Sequence, residues 1–314
     1  VERSVMQIVF ISYLTLITLG VLWRFIPNLP EASTMRNAIS ALVIHILLPL
    51  LTISVIARAP LDDALWQIPL TGMIVTIGCL LFAWIIYRIL QSTVFKSMND
   101  RTLGSIVIGA AWCNATYLGL PIITGVFGDG MAFLPVIYDV LALTPLLWTL
   151  GVVIAGYVRG DSGSTIERVR HAARKIVTLP PIYAVIIGLS LKYLHIELPE
   201  FVLHVSDIAG KAVPPIMMIS VGMALTLPSL KSVMQLIPAM AIRLMFAPAL
   251  ASLCISMFAI DAVIGKALIM ESGMPTMVLT MALIDMYGLD SEILSHLIAL
   301  TTMCSFITLQ FQLF

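Results

Sequence analysis

Two short polar stretches interrupt long apolar sequences in this chain, and both contain glycine and proline. The first is NATYLGLP at 114–121, and the second is ESGMPT at 271–276. Proline removes a backbone donor and clashes with the preceding turn, while glycine lets the backbone change direction. We therefore expect a broken helix at each stretch, the first break lying at Gly119–Pro121. The new helix N-termini would present bare N–H groups, which suit an anion.

Three ionisable residues lie within apolar sequence, where a charge is costly and a functional role is the first expectation. Glu271 precedes Pro275 by four residues and adjoins a break, so we expect it to be functional. Asp139 could carry a proton, as could Glu271, or it could form a structural hydrogen bond to the broken backbone of a neighbouring span. Arg243 could neutralise a substrate carboxylate or pair with one of these two acids.

Motifs for metal binding or catalysis are missing. The four cysteines lie in apolar stretches without a CxxC, which is typical of small buried hydrophobic residues. No HExxH, GxSxG or DDxxD occurs, so an intramembrane enzyme is the weakest alternative and we expect no enzymatic activity. We also expect no metal and no cofactor.

The composition requires an environment other than water. Hydrophobic residues make up 60% of the 314 residues and charged residues only 11%, whereas a soluble surface needs roughly a quarter charged residues. The 17 basic and 17 acidic residues balance, which leaves no basic surface for nucleic acid. These values predict an integral membrane protein surrounded by lipid.

Ten apolar runs have the length, about 20 residues, that a helix needs to cross a bilayer. The alternating short strands of a lipid-embedded barrel are absent from the sequence. We interpret the first run as a span rather than a signal peptide, because no cleavage site of small residues follows it. The predicted spans cover 5–23, 36–57, 64–90, 101–127, 132–158, 176–194, 204–226, 232–258, 262–287 and 291–313.

The positive charges of the connecting loops predict the orientation. With ten spans, both termini lie on one side, where the loops carry five Lys and Arg residues; the opposite side carries eleven. Positive charge stays in the cytoplasm. We therefore expect both termini outside the cytoplasm, the polar loop 159–175 inside it, and the protein in a plasma membrane, the inner membrane of a bacterium.

The polar loop divides the chain into halves, 1–158 and 176–314, with weak internal similarity. Pro49 and the Ile-Ser-Val after it recur around Pro215 with an offset of 166, and Ile-Pro at 68–69 recurs 169 residues later. Two further short matches follow in the same order. Each half holds five spans, an odd number, so the second half enters the membrane from the opposite face. This pattern predicts an inverted repeat, which is typical of secondary transporters.

The two interrupted stretches resemble the crossovers of the auxin efflux carrier family. CNATYLGLPIITGVFGD at 113–129 resembles the first crossover, and ESGMPTMVLTMALIDMYGLDSEIL at 271–294 resembles the second crossover with the last helix. The resemblance covers nearly the whole chain and is specific at the crossovers. Bacterial members are classed as malate and malonate permeases, and plant members export auxin.

The resemblance implies an all-α fold of ten transmembrane helices, similar to that of sodium/proton antiporters and bile-acid transporters. Spans 1, 2, 6 and 7 would form a scaffold and a homodimer contact, and spans 3–5 and 8–10 a mobile transport domain. By resemblance Asn114, Pro121 and Pro275 fall on the substrate site. The chain departs from the plant pattern in its short central loop. It also has Glu271 and Ser272 where many relatives carry Gln or small residues.

Together these features predict a secondary active transporter of a small organic anion, such as a mono- or dicarboxylate, that works by alternating access. We expect coupling to protons rather than to sodium. The alternative is a channel or an uncoupled uniporter for organic anions. The expected substrate-binding residues are Asn114, Tyr117, Gly119, Pro121, Ser272, Gly273, Pro275 and Thr276, and the expected site charges are Glu271, Asp139 and Arg243.

Overall fold

The computed structural model describes residues 2–59, 64–160, 180–225 and 228–312. Within these ranges the chain is almost entirely helical and forms no strand. Six of the helices are long and apolar enough to cross a membrane. The expectation of an all-helical membrane protein is therefore confirmed. Most of the predicted cytoplasmic loop lies outside the described residues.

The helices follow the apolar runs of the sequence. The fourth and ninth predicted spans each contain two helices separated by a non-helical segment. Each of the other predicted spans overlaps a single helical stretch. The helices are α1 (Glu2–Leu22), α2 (Ala32–Arg58), α3 (Ala64–Thr93), α4 (Asp100–Ala111), α5 (Ala115–Phe127), α6 (Asp129–Arg159), α7 (Pro180–Tyr193), α8 (Glu200–Ala224), α9 (230–258), α10 (Ala262–Ser272), α11 (Thr280–Tyr287) and α12 (Ser291–Phe311).

Short polar side chains begin several of these helices. The side chains of Asn99, Ser229, Asp261 and Asp290 accept hydrogen bonds from backbone N–H groups in the first turns of α4, α9, α10 and α12. These N–H groups have no partner within the helix, so each cap stabilises its helix end. The caps therefore fix where the chain enters the apolar region.

Wide π turns allow four prolines to lie inside helical stretches. Each of these turns ends two residues before a proline. The proline ring clashes with the carbonyl four residues earlier and lacks the N–H that would bond to it, and a wider turn relieves both problems. The pairs are Val43–Leu47 with Pro49, Ala115–Gly119 with Pro121, Asp139–Leu143 with Pro145, and Ile242–Phe246 with Pro248.

The helices pack in two groups. In the first group, α1 crosses α8 where Gly20 meets Gly222, and a Cβ on either residue would collide with the opposing backbone. Helix α2 packs against α7 and α8 in the same group. The second group comprises α3–α6 and α9–α12, in which α3 contacts α4, α6 and α9, and α12 contacts α4 and α9. Helix α5 touches both α1 and α8, so it lies at the boundary between the groups.

Candidate functional site

The two interrupted helices cross at their breaks, and the broken segments pair like two short antiparallel strands. The backbone N–H of Asn114 donates to the carbonyl of Pro275 at 2.7 Å, and that of Met277 donates to the carbonyl of Trp112 at 2.9 Å. Unpaired backbone groups are tolerated at membrane depth only where protein or a polar cavity satisfies them. Each break therefore supplies hydrogen-bond partners that the other needs.

Thr276 ties the second break to its neighbours. It faces Cys113 across the paired segment. Its backbone N–H donates to the hydroxyl of Thr301 in α12 at 3.1 Å, and its own hydroxyl donates to the carbonyl of Gly109 in α4 at 2.9 Å. The expected substrate-binding hydroxyl is thus engaged with the backbone of α4.

The first break lies earlier in the sequence than Gly119–Pro121, so that expectation was wrong in position. Helix α4 ends at Ala111, and Pro121 lies within α5, after the π turn. Because the π turn accommodates the proline ring, the proline does not interrupt the helix. Asn114 consequently lies directly before α5, at the positive end of its dipole.

A cavity of about 90 Å³ opens beside Asn114. The side chain of Asn114 is 2% exposed, and its Nδ2 has no hydrogen-bond partner among the described residues. Leaving a buried amide donor unsatisfied is costly, so such a group in a native structure calls for an explanation. A bound ligand would provide one. The polar residues that line the cavity are Asn114, Thr116, Tyr117, Asp139 and Thr144.

Asp139 is anchored by two threonines. The hydroxyl of Thr144 donates to one carboxyl oxygen at 2.9 Å, and the hydroxyl of Thr116 donates to the other. Thr116 belongs to the first turn of α5, so Asp139 joins α6 to the start of the second half of the broken helix. Asp139 therefore forms structural hydrogen bonds, which was one of the two alternatives considered for it. Its partners are hydroxyl groups rather than the broken backbone that we expected.

Glu271 lies at the crossover without a hydrogen-bond partner. It is fully buried, and neither carboxyl oxygen is bonded to any described residue. The carboxyl group packs against Gly119, where a Cβ would collide with it. The glycine predicted to break the helix therefore makes room for the acid of the other crossover. An unpartnered carboxyl group of this kind can take up a proton.

Arg243 bonds to backbone rather than to an acid. Its guanidinium donates to the carbonyl of Ala111 at 2.6 Å and also to the carbonyl of Ser272. Neither Asp139 nor Glu271 lies within 4 Å of it in the part of the chain that the structure describes. Of the two alternatives considered for Arg243, pairing with one of these acids is therefore not seen, because the guanidinium bonds to two helix ends instead. Arg243 also does not line the cavity beside Asn114.

The remaining expected residues lie at the second break. The hydroxyl of Ser272 is 3.1 Å from that of Tyr138, and a Cβ at Gly273 would collide with the side-chain amide of Gln312. Tyr138 and Gln312 were not expected from the sequence. Tyr138 lies within α6 and Gln312 directly follows α12, and only the packing of the helices brings them to the crossover.

Two wider openings lie at opposite ends of α2, each between the two helix groups. One has a volume of about 680 Å³ and includes Arg58, Lys211 and Asp129 in its lining. The other has a volume of about 580 Å³ and includes Arg36 and Asp285. In both openings the basic residues belong to the first helix group, whereas the acids come from both groups, because Asp207 also lines the first opening and Glu31 the second. The cavity beside Asn114 is lined by Ile44 and Leu48, which lie along α2 between the residues that line the two openings.

Comparison with known proteins points to transport. A family model described as membrane transport protein matches residues 4–313. A protein named as an uncharacterized transporter of Methanothermobacter thermautotrophicus is 26% identical over 304 residues, which cover 95% of this chain and 94% of that protein. Another, of Methanocaldococcus jannaschii, is 27% identical over 234 residues, or 74% of each chain.

Proposed function

Because the chain belongs to the membrane transport protein family, the auxin efflux carrier family that its crossovers resemble, we propose that it is a secondary active transporter of a small organic anion. The observation that carries this proposal is the unpartnered amide of Asn114, which lines a cavity at the crossing of two broken helices. Helix α5 begins directly after this residue. An amide donor beside the positive end of a helix suits a carboxylate.

The proposed architecture is ten transmembrane helices in two inverted five-helix repeats. The breaks between α4 and α5 and between α10 and α11 support it, because they occur in equivalent spans of the two halves. Their antiparallel pairing also supports it, since inverted repeats run in opposite directions through the membrane. The orientation proposed from the basic loops has both termini outside the cytoplasm.

The proposed mechanism is alternating access, with the second helix group moving against the first. The first group, α1, α2, α7 and α8, would be the scaffold and the site of a homodimer contact. The close contact of Gly20 with Gly222 supports a rigid scaffold. The two openings at opposite ends of α2 support two entry routes to one site.

The cavity favours a monocarboxylate over a dicarboxylate. Among the described residues its lining includes no Lys or Arg; beside apolar side chains such as Leu48 and Ile182 it contains the Asn114 amide, three hydroxyl groups and the carboxyl group of Asp139. A second carboxylate would enter the low-dielectric interior without a compensating positive charge. We therefore propose a monocarboxylate with a compact apolar body.

The proposed coupling ion is the proton, and Glu271 is its proposed carrier, with Asp139 as the second candidate. Glu271 adjoins the crossover, and its carboxyl group has no hydrogen-bond partner among the described residues. A proton needs only this one group, whereas a sodium ion would need several oxygen ligands arranged around it, which favours the proton.

The test is counterflow in proteoliposomes that contain the purified protein. Vesicles loaded with an unlabelled monocarboxylate should accumulate the labelled compound transiently, because a carrier exchanges one substrate for another. A matched dicarboxylate should drive less accumulation. Unitary currents in a planar bilayer without counterflow would instead identify a channel, and the carrier proposal would be wrong.

A further inference from the structure

Arg243 connects the two broken helices at their C-terminal ends. It is 1% exposed, and its guanidinium donates one hydrogen bond to the last residue of α4, Ala111, and one to the last residue of α10, Ser272. We propose that Arg243 is a positioning residue. It neutralises both helix ends at once and thereby holds the crossover, and with it Asn114, in register.

The hydrogen bonds of Arg243 go to helix ends rather than to an acid, and its Nε has no hydrogen-bond partner among the described residues. The C-terminus of a helix carries the equivalent of about half a negative elementary charge, located on carbonyls that have no partner within the helix. Two such ends amount to about one negative charge, which matches the guanidinium. A buried cation is tolerated when it is paired and hydrogen-bonded. In Arg243 the partners are two helix ends.

The geometry requires arginine rather than lysine. A guanidinium is planar and presents its N–H groups as a fixed fork, so its two terminal nitrogens can reach two carbonyls at a set separation. A lysine ammonium is a compact charge on a flexible stem. It would keep the positive charge, but it would not fix the distance between the ends of α4 and α10.

Two contacts join the broken helices, and the sequence interval between them is the same in both breaks. Ala111 precedes Asn114 by three residues, and Ser272 precedes Pro275 by three residues. Asn114 and Pro275 are themselves joined by a backbone hydrogen bond of 2.7 Å. The same three-residue interval therefore separates the guanidinium contact from this bond in both chain segments. Because the two contacts hold both intervals together, a change at Arg243 shifts the amide of Asn114.

Glu271 lies close enough to Arg243 for a Coulombic interaction, but the proposal assigns the neutralisation of the guanidinium to the two helix ends. The proposal therefore predicts that Glu271→Gln, which removes the acid but keeps its shape, leaves Arg243 neutralised. The midpoint of thermal unfolding in detergent should not fall by more than about 4 °C. If Glu271 were the counterion, its replacement would leave the buried guanidinium of Arg243 without a compensating charge. A larger fall would therefore overturn the proposal.

A disulfide across the crossover tests the positioning directly. The bonds that flank Cys113 and Thr276 make them a non-hydrogen-bonded antiparallel pair, whose Cα separation suits a disulfide. Thr276→Cys should therefore cross-link to Cys113 when the other three cysteines are replaced by alanine. Adding Arg243→Lys should slow the cross-linking about tenfold, as expected for the loss of one charge-assisted hydrogen bond.

The control for this test is Arg88→Lys, which changes an arginine that pairs with Asp100 at 2.9 Å, away from the crossover. It should leave the cross-linking rate unchanged. An equal rate in the Arg243→Lys protein would overturn the positioning role. If the Arg243→Lys protein does not fold, the thermal unfolding of the Glu271→Gln protein still tests whether the helix ends neutralise Arg243. Neither measurement uses a substrate. A failure of the proposed anion site would therefore appear only in substrate-binding experiments and would not affect these two results.

Discussion

The backbone N–H of Asn114 bonds to the carbonyl of Pro275, although 161 residues separate them in the sequence. The two motifs that interrupt the apolar runs are therefore one structural unit. The side-chain Nδ2 of the same asparagine has no hydrogen-bond partner among the residues that the structure describes, and it lines the cavity. One residue thus fixes the crossover through its backbone and offers a donor to a ligand through its side chain.

Asn114→Ala should weaken the binding of a monocarboxylate without unfolding the protein. The substitution removes the side-chain donor but keeps the backbone bond. A hydrogen bond to a charged group contributes about 1.5–3 kcal/mol, so the dissociation constant should rise roughly ten- to a hundredfold. Isothermal titration calorimetry would measure the change. Asn37→Ala, at an exposed asparagine of α2, is the matched control. Unchanged affinity in a folded Asn114→Ala protein would contradict the proposed site.

Glu271→Gln should abolish uptake driven by a pH gradient and spare exchange of labelled for unlabelled substrate. The amide cannot carry the proton, but it fills the same space against Gly119. Both activities can be compared in one preparation of proteoliposomes. Glu197→Gln, at an exposed position, should change neither. If the Glu271→Gln protein still responds normally to the gradient, Asp139→Asn becomes the variant to examine.

Gly119→Ala should destabilise the protein, against the usual preference of a helix for alanine. A Cβ at this position would meet the carboxyl group of Glu271, and overpacking of this kind costs about 1–3 kcal/mol. Unfolding monitored by tryptophan fluorescence would detect the loss.

Two further variants test this explanation of the Gly119 effect. Gly130→Ala should have little effect, because nothing lies within 4 Å of the Cβ position there. Shortening the acid by Glu271→Asp should restore part of the stability of the Gly119→Ala protein. No restoration would show that the carboxyl group is not the obstacle.

A cysteine at position 164 tests the orientation. Ser164 belongs to the basic loop 159–175, for which the charge distribution predicts a cytoplasmic location. In a protein without other cysteines, Ser164→Cys should resist a membrane-impermeant maleimide in right-side-out vesicles and react after the membrane is permeabilised. Rapid labelling of intact vesicles would reverse the proposed orientation.

The helical stretches were predictable from the sequence because apolar runs of membrane length leave few other structures for the backbone. The position of the first break was not. Gly119 with Pro121 and Gly273 with Pro275 look alike as motifs, yet a π turn accommodates Pro121, whereas Pro275 lies in the break itself. The difference comes from tertiary partners, because the extended backbone forms where the other break can bond to it.

The candidate site was predictable only in part. Asn114 and Glu271 stand out because polar residues are rare within membrane-spanning runs, and polar atoms of both lack hydrogen-bond partners among the described residues. The partners of Arg243 are backbone carbonyls, which every residue has, so no residue type in the sequence indicates them. Sequence patterns suggested an acid as its partner because only side-chain charges are visible there.

The guanidinium that serves both breaks comes from one half of the chain. Aligning Ile-Pro at 68–69 with its later copy makes Ile74 the counterpart of Arg243. A site built from two identical halves would place either two guanidiniums at these carbonyls, which would repel each other, or none. In this chain the two positions carry different residues, so a single cation can bond to both helix ends.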